Sequence, residues 1–132
     1  MAKKKLTWTR VKRLICAQVD EFLTDLVCIG ESDNDMVREM RMGKENLIMP
    51  VTEVLKWTKG KLNVYRAELP FCTLEWDGDR DLVVLSHFSS ESPESGFHVD
   101  KDYVKIRDID ALKHFLMSAY FKKLGRQIQE AD

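Results

Sequence analysis

Cys72-Thr73-Leu74-Glu75-Trp76, then Asp77-Gly78-Asp79-Arg80, then Leu82-Val83-Val84-Leu85 is the stretch on which the fold turns. Its first five residues alternate between apolar and polar, and its last four are apolar throughout. A period of two belongs to a strand with one buried face, and a short apolar run to a strand covered more fully. Gly78 stands at the first central position of a two-residue loop, which signals a type II′ hairpin. In that register Asp77 pairs with Arg80 and Cys72 with Leu85, so His87 is the diagonal neighbour of Cys72 on one face. A loop one residue longer sets Cys72 against Ser86 and sends His87 to the other face.

Outward from the hairpin, Leu62-Asn63-Val64-Tyr65-Arg66 alternates in the same way, and Pro70 ends that strand. Tyr103-Val104-Lys105-Ile106 fits a fourth strand. Between them Ser89–Gly96 is rich in Ser and lacks apolar side chains, so 89–96 reads as an exposed, mobile loop.

Helices flank these strands. Trp8, Val11, Ile15, Val19, Phe22 and Leu26 recur at steps of three and four, within about 60° of one line on a helical wheel. The spacing predicts a helix over 8–28, with Thr7 as N-cap and Gly30 as stop. Ser32 is placed to cap a short helix whose apolar edge is Met36, Val37 and Met40 and which Gly43 ends. After Pro50, Val51, Val54 and Leu55 have helical spacing up to Gly60; the β-branched content also suits a strand, and the spacing favours the helix. Asp108 caps a final helix that turns Ile109, Leu112, Phe115, Leu116, Ala119 and Leu124 inward.

The elements add up to an α+β fold: an antiparallel sheet of three to four strands with the N-terminal and C-terminal helices packed on one face, plus short helices. At 132 residues and 15.4 kDa the chain reads as a single domain over 1–132. Residues 1–6 form a frayed basic terminus.

Apolar residues make up 44% of the chain, enough for a core, and charged residues 33%, enough for a well-solvated surface. Lys and Arg number 21 against 22 Asp and Glu, so neither a globally basic nucleic-acid binder nor an acidic mimic is indicated. Cys16, Cys28 and Cys72 are an odd set without C-x-x-C spacing and read as reduced thiols. The apolar stretch behind Lys3-Lys4-Lys5 is interrupted by Arg10, Lys12 and Arg13, which does not suit a signal peptide, and no window suits a membrane span. A cytoplasmic location, in the producing cell or a host, follows as the expectation.

The opening helix arranges charge against its own dipole. Lys3, Lys4, Lys5, Arg10, Lys12 and Arg13 crowd its positive end, while Asp20, Glu21 and Asp25 lie toward its negative end. Each such charge in a terminal turn costs roughly 0.3–1 kcal/mol when unscreened. The final helix does the opposite, with Asp108 and Asp110 first and Lys122, Lys123 and Arg126 last. An anionic partner would offset the breach in the first helix. Met36, Met40, Met42 and Met49 add a soft apolar segment suited to adaptable docking. Arg10, Lys12, Arg13 and these four methionines are the candidate contacts, and a protein with an acidic surface is the expected partner.

The function expected is therefore that of a small intracellular, non-enzymatic binding protein: an adaptor, chaperone or inhibitor. The alternative is a weak electrostatic nucleic-acid binder using the same cations. A third reading is a small enzyme in which Cys72 and His87, or Glu75, share a concave pocket. His87, His98 and His114 lack metal-ligand spacing, and no glycine-rich phosphate loop occurs, so no metal, cofactor or catalytic set is indicated. A homodimer is also open, through an edge strand at 62–68 and exposed Leu14 and Leu85.

Overall fold

A computed structural model describes residues 6–42, 54–60, 63–88 and 99–131, with Phe88 and 126–131 described by backbone alone. The expected basic terminus (apart from Leu6), Gly43, Met49 and the loop at 89–96 lie outside the described residues. Helix α1 spans Trp8–Cys28 and α2 Asp35–Arg41. Strands β1 (Trp57–Lys59), β2 (Val64–Glu68), β3 (Thr73–Asp77), β4 (Leu82–Phe88) and β5 (Val99–Lys105) follow. A 3-10 stretch, Ile106–Ala111, then leads into α3, Leu112–Ala131. The sheet is an antiparallel meander in sequence order, and the class is α+β.

The sheet has five strands rather than three to four. The added strand is Trp57–Lys59, where helical spacing had favoured a helix; it pairs with Tyr65–Ala67. Pairing satisfies backbone groups on the free side of β2, and Trp57 and Thr58 suit a pleated surface. One consequence is that β2 is no edge. It lies between β1 and β3, Leu85 is fully buried, and Leu14 is half-buried against the core.

Helix α1 follows the sequence expectation. Thr7 Oγ1 accepts from the Arg10 N–H at 3.3 Å, and Gly30 adopts φ +91 just past the end. In α2 the cap is Asn34 rather than Ser32, its side chain accepting from Met36 N at 2.9 Å. Asp108 does not cap the last helix. It sits inside the 3-10 stretch at φ −109, ψ 25, and α3 starts four residues later.

The β3–β4 loop is also longer than the glycine signal implied. Asp77 pairs with Leu82, leaving four residues, 78–81, in the turn. The positive backbone angle falls on Asp81, at φ 52, and not on Gly78. Gly78 is required for space: a Cβ there would lie 2.8 Å from Asn63 Cβ and 2.9 Å from its carbonyl oxygen, which accepts the Gly78 N–H at 2.8 Å. Asp77 Oδ1 accepts from Asp79 N at 3.1 Å and further fixes the turn.

With this register Ala67, Leu74, Trp76, Val83, Leu85 and Val104 face one side, all buried. They join one core with Val11, Ile15, Val19, Phe22 and Leu26 of α1 and Leu112, Leu116, Ala119 and Tyr120 of α3. The opposite face carries Glu75 and Val84, half-buried, and Val99 and Tyr103, exposed. Helices α1 and α3 run in the same sense: Gln18 meets Asp110 at 3.3 Å, Glu21 meets Lys113 at 3.5 Å, and Glu31 meets Tyr120 at 2.9 Å. No helix among the described residues is long and apolar enough to cross a membrane.

Gly78→Ala is expected to lower stability by about 1–3 kcal/mol, because the new methyl must displace Asn63. The measurement is a urea midpoint at unchanged slope. Asp81→Gly should hold the midpoint or raise it, since glycine adopts positive φ without a Cβ clash. A Gly78→Ala midpoint equal to that of the parent protein would show that the close approach does not set the loop.

Candidate functional site

Two regions hold the chemistry, one at each end of the helical layer. The first is the start of α1. Arg10 and Arg13 are exposed there, while Lys12 is half-buried and close enough to Cys16 for its charge to act on the thiol. No acidic residue stands in the first turn of α1 and no basic residue in the last, so the charge breach read from the sequence persists in the folded helix. Among the described residues none of these three cations forms an ion pair.

An aromatic cluster anchors this end to the sheet. Trp8 stacks on Tyr65 with centroids 4.0 Å apart and planes 5° apart, and meets Trp57 edge-on at 4.9 Å. Such pairs contribute about 0.5–1.5 kcal/mol beyond area burial. Lys59 Nζ lies 5.9 Å from the Tyr65 ring centre, which brings a further cation to the start of α1. Sequence reasoning missed Lys59. It becomes a neighbour only through the pairing of Lys59 with Tyr65 across β1 and β2.

Two of the four methionines expected to dock a partner are buried instead. Met36 and Met40 are core residues at 4% and 3% exposure, and Met42 is half-buried. The helical period of α2 turns the first two onto the α1–α3 core, and a docking contact needs an accessible side chain. Met49 lies outside the described residues.

The second region is a cavity of about 410 Å³ between the β2–β3 connection, the end of β4 and the middle of α3 at Ala119 and Lys123. Cys72 and His87 both line it. The β3–β4 ladder ends at Thr73 opposite Ser86, so one further step sets Cys72 directly against His87. Neither anticipated register gave this pairing. The loop is two residues longer than the type II′ turn, and a shift of two keeps both side chains on the same face.

His87 is 6% exposed. Its Nε2 lies 3.6 Å from Oδ2 of Asp102, and its Nδ1 is buried without a hydrogen-bond partner, the Cys72 thiol included. Asp102 was also missed. It pairs with Leu85, and is therefore the diagonal neighbour of His87, only because β5 begins at Val99 rather than near Tyr103. Glu75 is on the opposite face of the sheet and takes no part.

Burial pushes the Cys72 thiol far above its ordinary value of 9.0, so it is protonated at neutral pH. That opposes use as a nucleophile, since the thiolate is the reactive form. Burial also raises Cys16, opposed by Lys12. Tyr120, fully buried, is raised first by burial and then by donating its hydroxyl to Glu31 Oε2 at 2.9 Å. Among the described residues no three His, Cys, Asp or Glu side chains are grouped to hold a metal. No family model, curated protein or solved structure matches the chain.

The raised thiols and phenol link stability to pH. A group whose folded pKa is raised contributes fully below its unfolded value, and the contribution is lost as pH climbs toward the folded one. Unfolded values of 9.0 for the cysteines and 10.0 for Tyr120 place the onset of loss near pH 9. Urea midpoints should therefore be level between about pH 7 and 8 and fall steadily above 9. In Cys72→Ala the fall should be shallower, even though the variant starts from a lower midpoint. An equal alkaline slope in the two proteins would remove Cys72 from the linkage.

Proposed function

We propose that the protein is a small non-enzymatic binding module, of the adaptor, chaperone or inhibitor kind, that docks an acidic protein surface on the cationic start of α1. One observation carries the reading. Arg10 and Arg13 stand exposed at the positive end of a 21-residue helix, with Lys59 close by, and no carboxylate pairs with them among the described residues. The arrangement costs the isolated fold about 0.3–1 kcal/mol for each cation in the terminal turn, and an acidic partner would reverse the sign of that term.

The neighbouring rings favour protein over nucleic acid as the partner. A sequence-tolerant nucleic-acid surface needs open ring faces on which bases stack. Here Trp8 and Tyr65 cover each other, and Lys59 lies over Tyr65. Thiol catalysis is disfavoured by the protonated Cys72 and by the unpartnered Nδ1 of His87. The free thiols suit a reducing compartment, and the cytoplasm is the location proposed.

The test uses the intact protein and the Arg10→Glu/Arg13→Glu double variant as baits in extracts of the producing cell. A specific protein captured by the first should be lost from the second, with affinity at least about tenfold weaker, or about 1.4 kcal/mol. Identical partner sets would overturn the proposal. A captured species that nuclease removes, with affinity falling steeply in salt, would replace it with the nucleic-acid reading.

A further inference from the structure

We infer that the helix-free face of the sheet pairs with the same face of a second copy of the chain, about a two-fold axis that runs along β4. This face lies across the sheet from α1 and α3, and the cationic start of α1 takes no part in it.

An antiparallel sheet with one face in water alternates apolar inward and polar outward positions. Strands β4 and β5 depart from that alternation. Leu82 and Val84 point outward and are half-buried, and Val99 and Tyr103 point outward at 49% and 59% exposure. Val84 pairs with Tyr103 and lies two residues from Leu82, so these side chains adjoin in one patch. Among the described residues both long helices pack on the other face.

Charge frames the patch with opposite signs. On one side β3 presents Glu75 and Asp77, and on the other β5 presents Lys101 and Lys105. The register sets Glu75, Val84 and Tyr103 in one row, and Asp77, Leu82 and Lys105 in the next. Glu75, Lys101 and Lys105 form no ion pair among the described residues, and Asp77 meets Arg80 of its own turn at 3.8 Å. Arg66, the cross-strand neighbour of Glu75, is matched instead to Glu68 at 4.0 Å.

Two such faces can stack, strands aligned, about a two-fold axis across the strands or along them. The first choice sets β3 on β3 and β5 on β5, acid over acid and lysine over lysine. The second sets β4 on β4 and β3 on β5. Asp77 of each copy then faces Lys105 of the other, and Glu75 faces Tyr103 with both lysines one pleat step away. Like charges in contact cost free energy and opposite ones favour the encounter, which selects the second. Stacked sheets lie about 10 Å apart, a gap that a lysine and a carboxylate together span.

Edge-to-edge pairing of β5 has no such complement. Two-fold centres at Lys101, Asp102 or Tyr103 set Lys101 on Lys101, Asp102 on Asp102, or Lys101 on Lys105. At about 3.3 Å per residue and about 4.8 Å between strands, the five strands cover roughly 430 Å² per copy. The pair therefore belongs with small, concentration-dependent interfaces of less than about 1,200 Å² in total.

The experiment is sedimentation of the intact protein at low salt, from micromolar to near-millimolar concentration. The average mass should climb from 15.4 kDa toward twice that value. Glu75→Lys and the Lys101→Glu/Lys105→Glu double variant should each dimerise at least about tenfold more weakly, at unfolding midpoints close to that of the parent. Mixed one to one, these two variants should dimerise again, because the two-fold along β4 then sets each reversed charge against an opposite one. A misfolded variant could not regain the dimer on mixing. A monomer at every concentration would overturn the pairing, as would double-variant dimers as tight as the parent's. Absence of rescue in the mixture would overturn the axis along β4. The Arg10→Glu/Arg13→Glu variant should dimerise normally, so the outcome is independent of the docking surface on α1.

Discussion

The close approach of Gly78 to Asn63 fixes the connection between the third and fourth strands, and much of the molecule depends on that register. The four-residue turn pairs Asp77 with Leu82. Leu74, Trp76, Val83 and Leu85 then face the helices, while Glu75 and Val84 face away. A register one residue different would invert every one of these assignments. The same register brings Cys72 and His87 together at the end of the ladder. Core and cavity thus share one cause.

The helical layer is organised by an aromatic group. Phe22, Phe71 and Tyr120 meet at 5.5 to 6.0 Å between centroids and join α1, the β2–β3 connection and α3. The Tyr120 hydroxyl is satisfied by Glu31 beyond the end of α1, so an otherwise buried polar group has its partner. Phe71, which lines the cavity, belongs to this junction. At the other end of α1, Trp8, Trp57 and Tyr65 do a similar task and hold the cationic turn against the sheet.

The two ends differ in their electrostatics. At the start of α1 Arg10 and Arg13 are exposed, Lys12 is half-buried, and all three are unpaired among the described residues and set against the helix dipole. At the cavity Arg66 and Glu68 are exposed, Lys123 is half-buried, and the buried His87 has its Nε2 3.6 Å from Asp102 Oδ2. The first arrangement suits a broad surface that gains from long-range attraction.

The linear order of residues determined α1 with both its caps, the hairpin, the α+β class and the charge breach at the start of α1. Each is a local matter: a period of 3.6 or 2, a side chain three residues from a free N–H, a glycine past a helix end. What only the tertiary structure decided is whatever depends on residues far apart in the chain. Trp57–Lys59 became a strand because β2 offered it free hydrogen-bonding groups. Met36 and Met40 became core because α2 folds back onto α1. Gly78 carries no positive φ because the constraint on it is the nearness of Asn63, fifteen positions earlier. Lys59 and Asp102 come beside Tyr65 and His87 through strand pairing, and Lys123 comes to the cavity through helix packing. A one-dimensional pattern reports which face a residue occupies, but its neighbours on that face are set by how the elements pack, and the sites here are made of such neighbours.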